Sequence, residues 1–500
     1  MASQDNRDRR GGDPGGEPVI PLPSLLEPQA TGGDVAERGF SFQASYILTC
    51  ICRWLSQDGF TSMVQEAMGD TEANFFVPGR GYEKELVEVK NYPLTPSVFW
   101  NELQRFQQLD SASPSTYRMF TLASPGLSKE LQPLAHGLRR IRGSSSFYGE
   151  SSALFERSFD DLSTRVEKLG GRRQDAIFLL DKVEVVTELA AHQSQGEALF
   201  KQAIIEYFPE YQDVSARVLQ EMYDNVRNLI QSRKNRTILR KELEGKLREK
   251  IPPTQLPPLR PVQFYTASDA FASGKGTDGA EAQGLCFDWS EFAGETTPFP
   301  PASVWNGRML QELEQTRAWM RAHRIQRRIR LTGMHRLCAS LAIGACFSAV
   351  QGFSIEIEYR GEIYATDAHP DPSTPVYPWS VKHLSGTGDT LVISVGVPRE
   401  ISDEVDAFMR GQEARVLPAA HLHGREPLLS PQHANRAVEG AKRIIAQARS
   451  RTQAKKIALF LSGPDYFALF LGHRLNAIAP IQCYQYTGTG FYTPACLLFS

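Results

Sequence analysis

The stretch that most constrains this chain spans residues 70–90, where two short β-type segments flank the turn Pro78-Gly79-Arg80-Gly81. Alternating apolar and polar residues on both sides of a Pro/Gly turn predict an antiparallel β-hairpin. Successive side chains of a strand point to opposite faces, so Glu88 and Lys90 share one face and the neighbouring valines take the other. One face of the hairpin is therefore charged, and we expect the functional residues to lie on it.

The folded hairpin brings Asp70 or Glu72 beside Glu88 and Lys90. Hard cations such as Mg²⁺ or Mn²⁺ take oxygen ligands, commonly one or two carboxylates together with substrate phosphate and water. An ammonium group next to them can orient or deprotonate the attacking water and offset charge on a phosphate. The pattern predicts a metal-dependent nuclease site. The alternative is a solvated strand, because strands with alternating Glu and Lys are common.

The overall composition is that of an ordinary globular protein. The 500 residues predict roughly two to four domains, and a formal net charge of -2 neither requires nor excludes a nucleic-acid partner. The seven cysteines show no zinc-binding spacing, which favours a reducing cytoplasm. The apolar run 337–350 is too short to span a bilayer, and residues 1–16 lack the apolar segment of a secretory signal. We therefore expect a cytoplasmic protein with no membrane partner.

Changes in composition along the chain predict its domains. Residues 1–30 are polar and expected to be disordered, and residues 31–250 continue the hairpin region into a helical extension. Repeated prolines at 251–262 predict an extended linker. In residues 263–500, β-type and α-type segments alternate, which predicts a doubly wound α/β sheet.

Two predicted strands of the C-terminal region end in a glycine turn that opens a helix. Ligands of doubly wound sheets bind beyond the carboxyl ends of the strands, where N–H groups at a helix start can receive a phosphate. Neither turn has a dinucleotide-binding or Walker pattern. Plain strand-to-helix geometry explains one such turn, whereas two turns near other polar residues favour a nucleotide ligand. The predicted ligand-binding residues are Gly333, His335, Arg336, Lys382, His383, Ser462, Gly463, Tyr466, Tyr486 and Thr487.

A helix predicted over 310–327 carries a stripe of arginines. We expect this stripe either to be a solvated face or to make a head-to-tail contact between copies of the chain, which grows into rings or filaments. The stripe consists of Arg317, Arg321, Arg324 and Arg328.

The acid followed by Glu-x-Lys on the next strand resembles the motif of the PD-(D/E)xK nuclease superfamily. The segments 379–384, 388–394 and 462–464 are similar to a SAVED domain. Over nearly the whole chain apart from its tail, these features resemble the CD-NTase-associated endonuclease effectors of bacterial CBASS anti-phage defence.

This resemblance implies an α/β protein. It would join a restriction-endonuclease-like PD-(D/E)xK domain with a helical extension to a SAVED domain of two CARF-like, Rossmann-like subdomains. SAVED is then expected to bind a cyclic oligonucleotide, commonly a cyclic trinucleotide, and the bound ligand to drive self-association and cleavage of double-stranded DNA. The implied catalytic residues are Asp70, Glu88 and Lys90, with Asp70 and Glu88 as metal ligands.

Three points stay open from the sequence. Glu72 lies close enough to Asp70 to compete for the place of the first acid. A nucleotide-binding adaptor with an inactive nuclease is one alternative function. A restriction-type nuclease without a ligand switch is the other.

Overall fold

The computed structural model describes residues 28–148, 152–187, 193–266, 283–292, 294, 298–333, 335–412, 416–476, 478–488 and 490–499, without the side chains of 28–41, 145–147, 193 and 194. Most of the tail predicted for residues 1–30 lies outside this range. Residues 28–30 already belong to a helix, which corrects the prediction at that end.

A six-stranded sheet forms the centre of the N-terminal half. Its strands are β1 (Phe60–Gln65), β2 (Thr71–Val77), β3 (Gly81–Val89), β4 (Tyr117–Ala123), β5 (Val183–Val186) and β6 (Thr237–Leu239). The strand order is β5-β4-β3-β2-β1-β6. Strands β1 to β3 are antiparallel neighbours, β3 to β5 are parallel, and β6 runs antiparallel to β1.

Helices cover both faces of this sheet. They are α1 (Pro28–Ser56), α2 (Pro96–Ala112), α3 (Gln132–Tyr148), α4 (Ala153–Lys168), α5 (Arg173–Lys182), α6 (Gln193–Tyr207), α7 (Ala216–Ser232) and α8 (Arg240–Arg248). Val87 packs into a core with α1, α6, α7 and α8, and its neighbour Leu86 packs into a second core with α2 to α5. The predicted helical extension is therefore part of the sheet domain itself, since it supplies two strands and covers both faces.

The C-terminal half contains two further sheets. The first has strands β7 (Val262–Thr266), β8 (Leu285–Phe287), β9 (Arg328–Thr332), β10 (Ser354–Tyr359) and β11 (Glu362–Ala365), in the order β11-β10-β9-β7-β8. The second has β12 (Trp379–Leu384), β13 (Thr390–Gly396), β14 (Ala419–Gly424), β15 (Lys456–Ser462), β16 (Ile481–Gly488) and β17 (Phe491–Leu498), in the order β12-β14-β13-β15-β16-β17.

Each of these two sheets has parallel strands at its centre. Among the strands that the structure describes in this half, only the edge strands β11, β12 and β17 are antiparallel to their neighbours. The helices of this half are α9 (Ala302–Val304), which continues through a π-helical turn into α10 (Gln311–His323), and then α11 (Leu337–Cys346), α12 (Ser402–Gln412), α13 (Pro431–Thr452) and α14 (Asp465–Arg474). Two parallel sheets with crossover helices confirm the predicted α/β class with two Rossmann-like subdomains.

The two halves of the chain pack directly against each other. Phe76 on β2 stacks on Trp319 of α10 at a ring-centroid distance of 4.9 Å. Arg324 pairs with Asp58 at 3.1 Å, with side chains 6% and 10% exposed. The proline-rich segment 251–262 thus does not hold the halves apart as a spacer, and its last residue belongs to β7.

The predicted arginine stripe is wrong. Helix α10 ends at His323, because the backbone of Arg324 is extended (φ -104, ψ 139). Arg324 is buried in its pair with Asp58, and Arg328 lies in β9, where it contacts Glu356 at 2.6 Å. The arginines therefore do not share one helix face. Within the part of the chain that the structure describes, no helix is long and apolar enough to cross a membrane.

Candidate functional sites

Strands β2 and β3 form the predicted hairpin. Thr71 pairs with Val87, so Asp70 and Glu88 meet just beyond the end of this ladder. The Asp70 carboxylate accepts a hydrogen bond from the Val89 N–H at 2.6 Å. The turn uses Gly79 and Gly81 at φ values of +73° and +87°, a region that glycine adopts without strain.

The geometry separates the two acids that the sequence left open. Glu72 is 5% exposed and accepts hydrogen bonds from the Met68 N–H at 3.0 Å and from the Lys84 ammonium at 2.9 Å. Its carboxylate is therefore engaged two pairs further along the hairpin. Asp70 is the acid that lies beside Glu88.

Lys90 lies between two carboxylates. Its Nζ is 2.8 Å from Oε1 of Glu88 and 2.7 Å from Oε1 of Glu102 on α2. Arg105, one turn further along α2, contacts Oε2 of Glu88 at 2.5 Å and Oε2 of Glu102 at 2.9 Å. We call these five residues, including Asp70, the acidic hairpin site.

Sequence reasoning missed Glu102 and Arg105. They stand three apart on α2, whose buried residues Phe99, Leu103 and Phe106 fix the helix on the sheet. This spacing places both charged side chains on neighbouring positions at the edge of the apolar face. An amphipathic helix directly after the Glu-x-Lys strand was the available signal.

The surroundings of Asp70 and Lys90 shift the pKa values of both side chains. Burial and the nearby Glu88 carboxylate raise the pKa of Asp70 to about 6, although the Val89 N–H, Lys90 and Arg105 oppose the rise. Burial lowers the pKa of Lys90, but hydrogen bonds to Glu102 and Glu88 outweigh it and hold the pKa above its ordinary value. Lys90 is therefore an ammonium near neutral pH, suited to offset phosphate charge rather than to deprotonate water.

The residues present fit a hard divalent cation. Asp70 and Glu88 offer carboxylate oxygens in close proximity, and a cation between them would remove the repulsion that raises the pKa of Asp70. Among the described residues, no group of three or more His, Cys, Asp and Glu side chains is arranged to hold a metal. Two protein carboxylates completed by water and phosphate match magnesium, which keeps several waters, better than zinc.

In the C-terminal half, β9 and β15 both end in the predicted glycine turns. Gly333 has φ +115°, and a Cβ there would lie 2.8 Å from the Thr266 carbonyl oxygen. Gly463 has φ +155°, and a Cβ there would lie 2.9 Å from the Val397 carbonyl oxygen. Both turns bring the backbone too close to a neighbouring strand for a larger residue.

Helices α11 and α14, which follow the two turns, cross at small residues. A Cβ on Gly344 would lie 2.0 Å from the Leu469 carbonyl oxygen, and a Cβ on Gly472 would lie 2.1 Å from the Leu341 carbonyl oxygen. This reciprocal contact packs α11 and α14 closely against each other and so joins the two subdomains. Each helix then starts beside the other.

The starts of these helices are also joined by side chains. Nδ1 of His335 lies 3.8 Å from a carboxylate oxygen of Asp465, and its Nε2 lies 2.5 Å from the Thr266 hydroxyl. Nδ1 has no hydrogen-bond partner among the described residues. We call the region where the two turns meet, marked by Gly333, His335, Gly463 and Asp465, the glycine crevice.

The structure brings some of the predicted ligand residues to this crevice. Gly333, His335 and Arg336 lie on one turn, and the Arg336 guanidinium is 5.5 Å from the Phe299 ring. Ser462 and Gly463 form the other turn, which continues into Tyr466, a buried side chain packed on aromatic residues of the first subdomain. Its ring centroid lies 4.3 Å from that of Tyr364 and 4.9 Å from that of Tyr359.

Tyr486 and Thr487 lie at the same end of the second sheet, on β16. Phe460 of β15 pairs with Tyr484, so Tyr486 lies beside Ser462. The Tyr486 ring packs on Tyr492 at 5.5 Å. These residues thus flank the second turn.

Lys382 and His383 are not brought to the two glycine turns. They lie on the antiparallel edge strand β12, where His383 pairs with Ala420 and Lys382 with His421. Lys382 is 53% exposed and 3.7 Å from Asp403, whereas His383 contacts Arg451 at the end of α13.

The acidic hairpin site is in contact with the C-terminal half through the tip of its hairpin. Besides the stacking of Phe76 on Trp319, Gly79 of the turn lies so close to Glu312 of α10 that a Cβ there would be 2.8 Å from its carboxylate. Arg317 of α10 donates a hydrogen bond to the Cys346 carbonyl, at the end of α11, at 3.4 Å. A continuous set of contacts therefore joins α11 to the hairpin.

Comparison with known proteins assigns the class of the C-terminal half. Residues 312–498 match the SAVED family, described as the SMODS-associated and fused to various effectors sensor domain. The C-terminal half of this α/β protein is thus similar to SAVED sensor domains.

Relatives also cover nearly its whole length. The chain is 27% identical over 476 residues to CD-NTase-associated protein 4 of Moraxella osloensis, covering 95% of this chain and 99% of that relative. It is 28% identical over 488 residues to CD-NTase-associated protein 4 of an Acinetobacter species, with the same coverage. The predicted resemblance to CD-NTase-associated effectors with a SAVED domain is confirmed.

Solved structures share the fold. The SAVED/CARF-domain containing receptor Cap4 of Acinetobacter baumannii, solved with the cyclic trinucleotide 2′3′3′-cAAA, superposes with a TM-score of 0.78 at 24% identity, covering 92% of this chain and 98% of that one. The structure of the same receptor with 3′3′3′-cAAA gives the same values. The Moraxella osloensis receptor superposes with a TM-score of 0.74.

Proposed function

We propose that this chain is a metal-dependent endonuclease that degrades double-stranded DNA when its SAVED domain binds a cyclic oligonucleotide, as an effector of CBASS anti-phage defence in the bacterial cytoplasm. The observation that carries the proposal is the meeting of Asp70, Glu88 and Lys90 on a hairpin whose tip packs on the SAVED half. The full-length relatives supply the defence context.

Three members of the acidic hairpin site have a direct role in this reaction. Asp70 and Glu88 hold Mg²⁺ or Mn²⁺ through their carboxylates. The ion, when bound, polarises the phosphate and lowers the pKa of a bound water. Lys90 presents an ammonium to the scissile phosphate and offsets the charge that develops there. Glu72, which is paired with Lys84, takes no part.

The glycine crevice is the proposed site of the cyclic oligonucleotide. The starts of α11 and α14 lie close together there, and backbone N–H groups at helix starts can receive phosphates. A cyclic trinucleotide is the expected ligand, because structural relatives were solved with 2′3′3′-cAAA and 3′3′3′-cAAA. Among the predicted residues, those on the two turns remain in the proposed site, and Lys382 and His383 leave it.

The contacts between the halves support control of cleavage by the ligand. A ligand changes the population of a state only if it binds that state better, so its effect must reach the hairpin through packed elements. Helices α11 and α10 connect the crevice to Phe76 in this way. Self-association on ligand binding remains part of the proposal, because two active centres facing one duplex cut both strands. The arginine stripe no longer supports it.

The direct experiment is a cleavage screen with the purified protein. Cyclic di- and trinucleotides are each added to plasmid DNA with Mg²⁺ or Mn²⁺, and ligand binding is measured in parallel by calorimetry. We expect one cyclic trinucleotide class to bind and to trigger cleavage that a chelator abolishes. Cleavage without any ligand would favour a restriction-type nuclease, and tight binding without cleavage would favour an adaptor with an inactive nuclease.

A further inference from the structure

Helix α2 contributes two charged side chains to the acidic hairpin site, although neither belongs to the Glu-x-Lys motif. Glu102 contacts Lys90 at 2.7 Å, and Arg105 contacts both Glu88 and Glu102. The apolar side of α2 is buried against the sheet through Phe99, Leu103 and Phe106, so the helix holds a fixed position. Its charged residues are therefore presented from a rigid element.

The four side chains Lys90, Glu88, Arg105 and Glu102 form a closed ring of alternating charge. The exposed fractions are 18% for Lys90, 13% for Glu88, 34% for Arg105 and 15% for Glu102, so three of the four are well shielded from water. Arg105 also donates to the Met68 carbonyl at 2.9 Å, which ties the ring to the segment just before Asp70. Charge-assisted hydrogen bonds of this kind are strong and directional.

We propose that Glu102 is a positioning residue, which holds the Lys90 ammonium in the orientation needed for the reaction, and that Arg105 locks Glu102 to Glu88. This inference rests on the proposed nuclease function and adds a requirement to it. A free lysine side chain samples many rotamers, and ordering it costs entropy. The carboxylates of Glu88 and Glu102 order the Lys90 side chain before the substrate binds, so this entropy is not lost during the reaction. Two ammonium N–H groups are used in these contacts, and the third is left for the phosphate.

Glu102 is not placed as a further metal ligand. Its two carboxylate oxygens contact Lys90 and Arg105, as those of Glu88 also do. Among the described residues, however, no three acidic side chains are grouped to hold a metal, so Glu102 does not join Asp70 and Glu88 as a third ligand. Its effect on the reaction must then pass through Lys90 or Arg105 and not through direct contact with the metal, which separates its expected behaviour from that of Asp70 or Glu88.

The test replaces Glu102 by Gln, which keeps the size of the side chain and removes its charge. The matched control is Asp110→Asn on the same helix, because Asp110 pairs with Lys182 at 2.5 Å and has a similar exposure, 21% for the acid and 28% for the lysine. Ligand-triggered cleavage of plasmid DNA is measured as kcat and KM, and Mn²⁺ affinity is measured by calorimetry. Glu102→Asp, which keeps the charge at a shorter reach, serves as the conservative variant.

We expect Glu102→Gln to lower kcat about 10- to 100-fold, with KM for DNA and Mn²⁺ affinity changed by less than about twofold. Glu102→Asp should recover part of the loss, and Asp110→Asn should stay within about twofold of the wild type. A Glu102→Gln variant as active as Asp110→Asn would overturn this inference alone. A matching loss of Mn²⁺ affinity would make Glu102 a metal ligand instead, and a wild type inactive with every ligand would overturn the nuclease proposal together with this inference.

Discussion

The acidic hairpin site and the glycine crevice are built in different ways. The first is a set of side-chain charges that one short hairpin and one helix place together. The second depends on the backbone, because two glycine turns and two glycines in crossing helices allow strands and helices to approach closely. Substituting one charged side chain can abolish catalysis at the hairpin site while the fold stays intact. At the glycine crevice, by contrast, ligand binding should be lost when a substitution prevents the backbone from adopting its turn.

The largest effect is expected when one charge of the hairpin site is removed. Asp70→Asn should lower DNA cleavage at least about 1000-fold, because a metal ligand supplies several kcal/mol of transition-state stabilisation. Ligand affinity, measured by calorimetry, should not change. Glu72→Gln is the matched control, since Glu72 pairs with Lys84, and should cost less than about tenfold. A larger loss in Glu72→Gln than in Asp70→Asn would reverse the assignment of the first acid.

The next effect concerns the pH stability of the SAVED half. His473 of α14 is 3% exposed, and its Nδ1 lies 2.6 Å from the Phe347 carbonyl oxygen. Burial lowers the pKa of His473 to about 4, below the ordinary value of about 6.5. The folded state therefore favours the neutral ring, and its stability is complete above about pH 6.5 and falls as the pH drops toward 4, by up to about 3 kcal/mol.

The measurement is denaturant unfolding of the wild type and His473→Asn between pH 7 and pH 4. Asparagine keeps an amide N–H near the position of Nδ1 but does not titrate. The free energy of unfolding should fall less with acid in the variant than in the wild type. Equal slopes would show that His473 does not carry this pH dependence.

A smaller effect is expected from the backbone of the crevice. Gly333→Ala adds a Cβ that would lie 2.8 Å from the Thr266 carbonyl oxygen, at a φ of +115°. Strain of about 1 to 3 kcal/mol at this turn should weaken cyclic trinucleotide binding about tenfold or more. Gly361→Ala is the control, because φ there is +81° and no atom lies within 4 Å of the added Cβ. Equal losses of affinity in both variants would remove the Gly333 turn from the site.

The smallest effect is expected at Lys382. The residue is half exposed and pairs with Asp403 on an edge strand, so Lys382→Ala should leave ligand affinity within about twofold of the wild type. Calorimetry with the activating cyclic trinucleotide measures this directly. A tenfold loss of ligand affinity would place Lys382 in the ligand site. The ligand site would then also depend on a side-chain charge, contrary to the comparison above.

The sequence was most informative where a local pattern decides the structure. The alternation around the Pro/Gly turn predicted the hairpin, and β9 and β15 were found with their glycine turns because a strand, a glycine and a helix follow each other directly. Strand β14 was missed. Its His421 and His423 look polar in sequence, but His421 is buried with Ser394 at 2.7 Å and Asp406 at 3.0 Å.

Other features depend on pairing between distant segments, which local patterns do not contain. The position of Lys382 in the fold follows from the pairing of β12 with β14. Nothing in the local sequence around Lys382 indicates which strand β12 pairs with. Glu102 joins Lys90 only because α2 docks across the sheet. Phe76 packs on Trp319 across the two halves of the chain. Because the sequence alone does not reveal this contact, the proline-rich segment was predicted to be a spacer.

Ligand-triggered DNA cleavage by the wild type and Lys90→Ala tests the central claim most directly. Both proteins are titrated with the activating cyclic trinucleotide in the presence of Mg²⁺, and plasmid cleavage and ligand binding are recorded on the same samples. The proposed function predicts that both proteins bind the ligand equally well and that only the wild type cleaves DNA. Ligand-triggered cleavage by Lys90→Ala at the wild-type rate would contradict it.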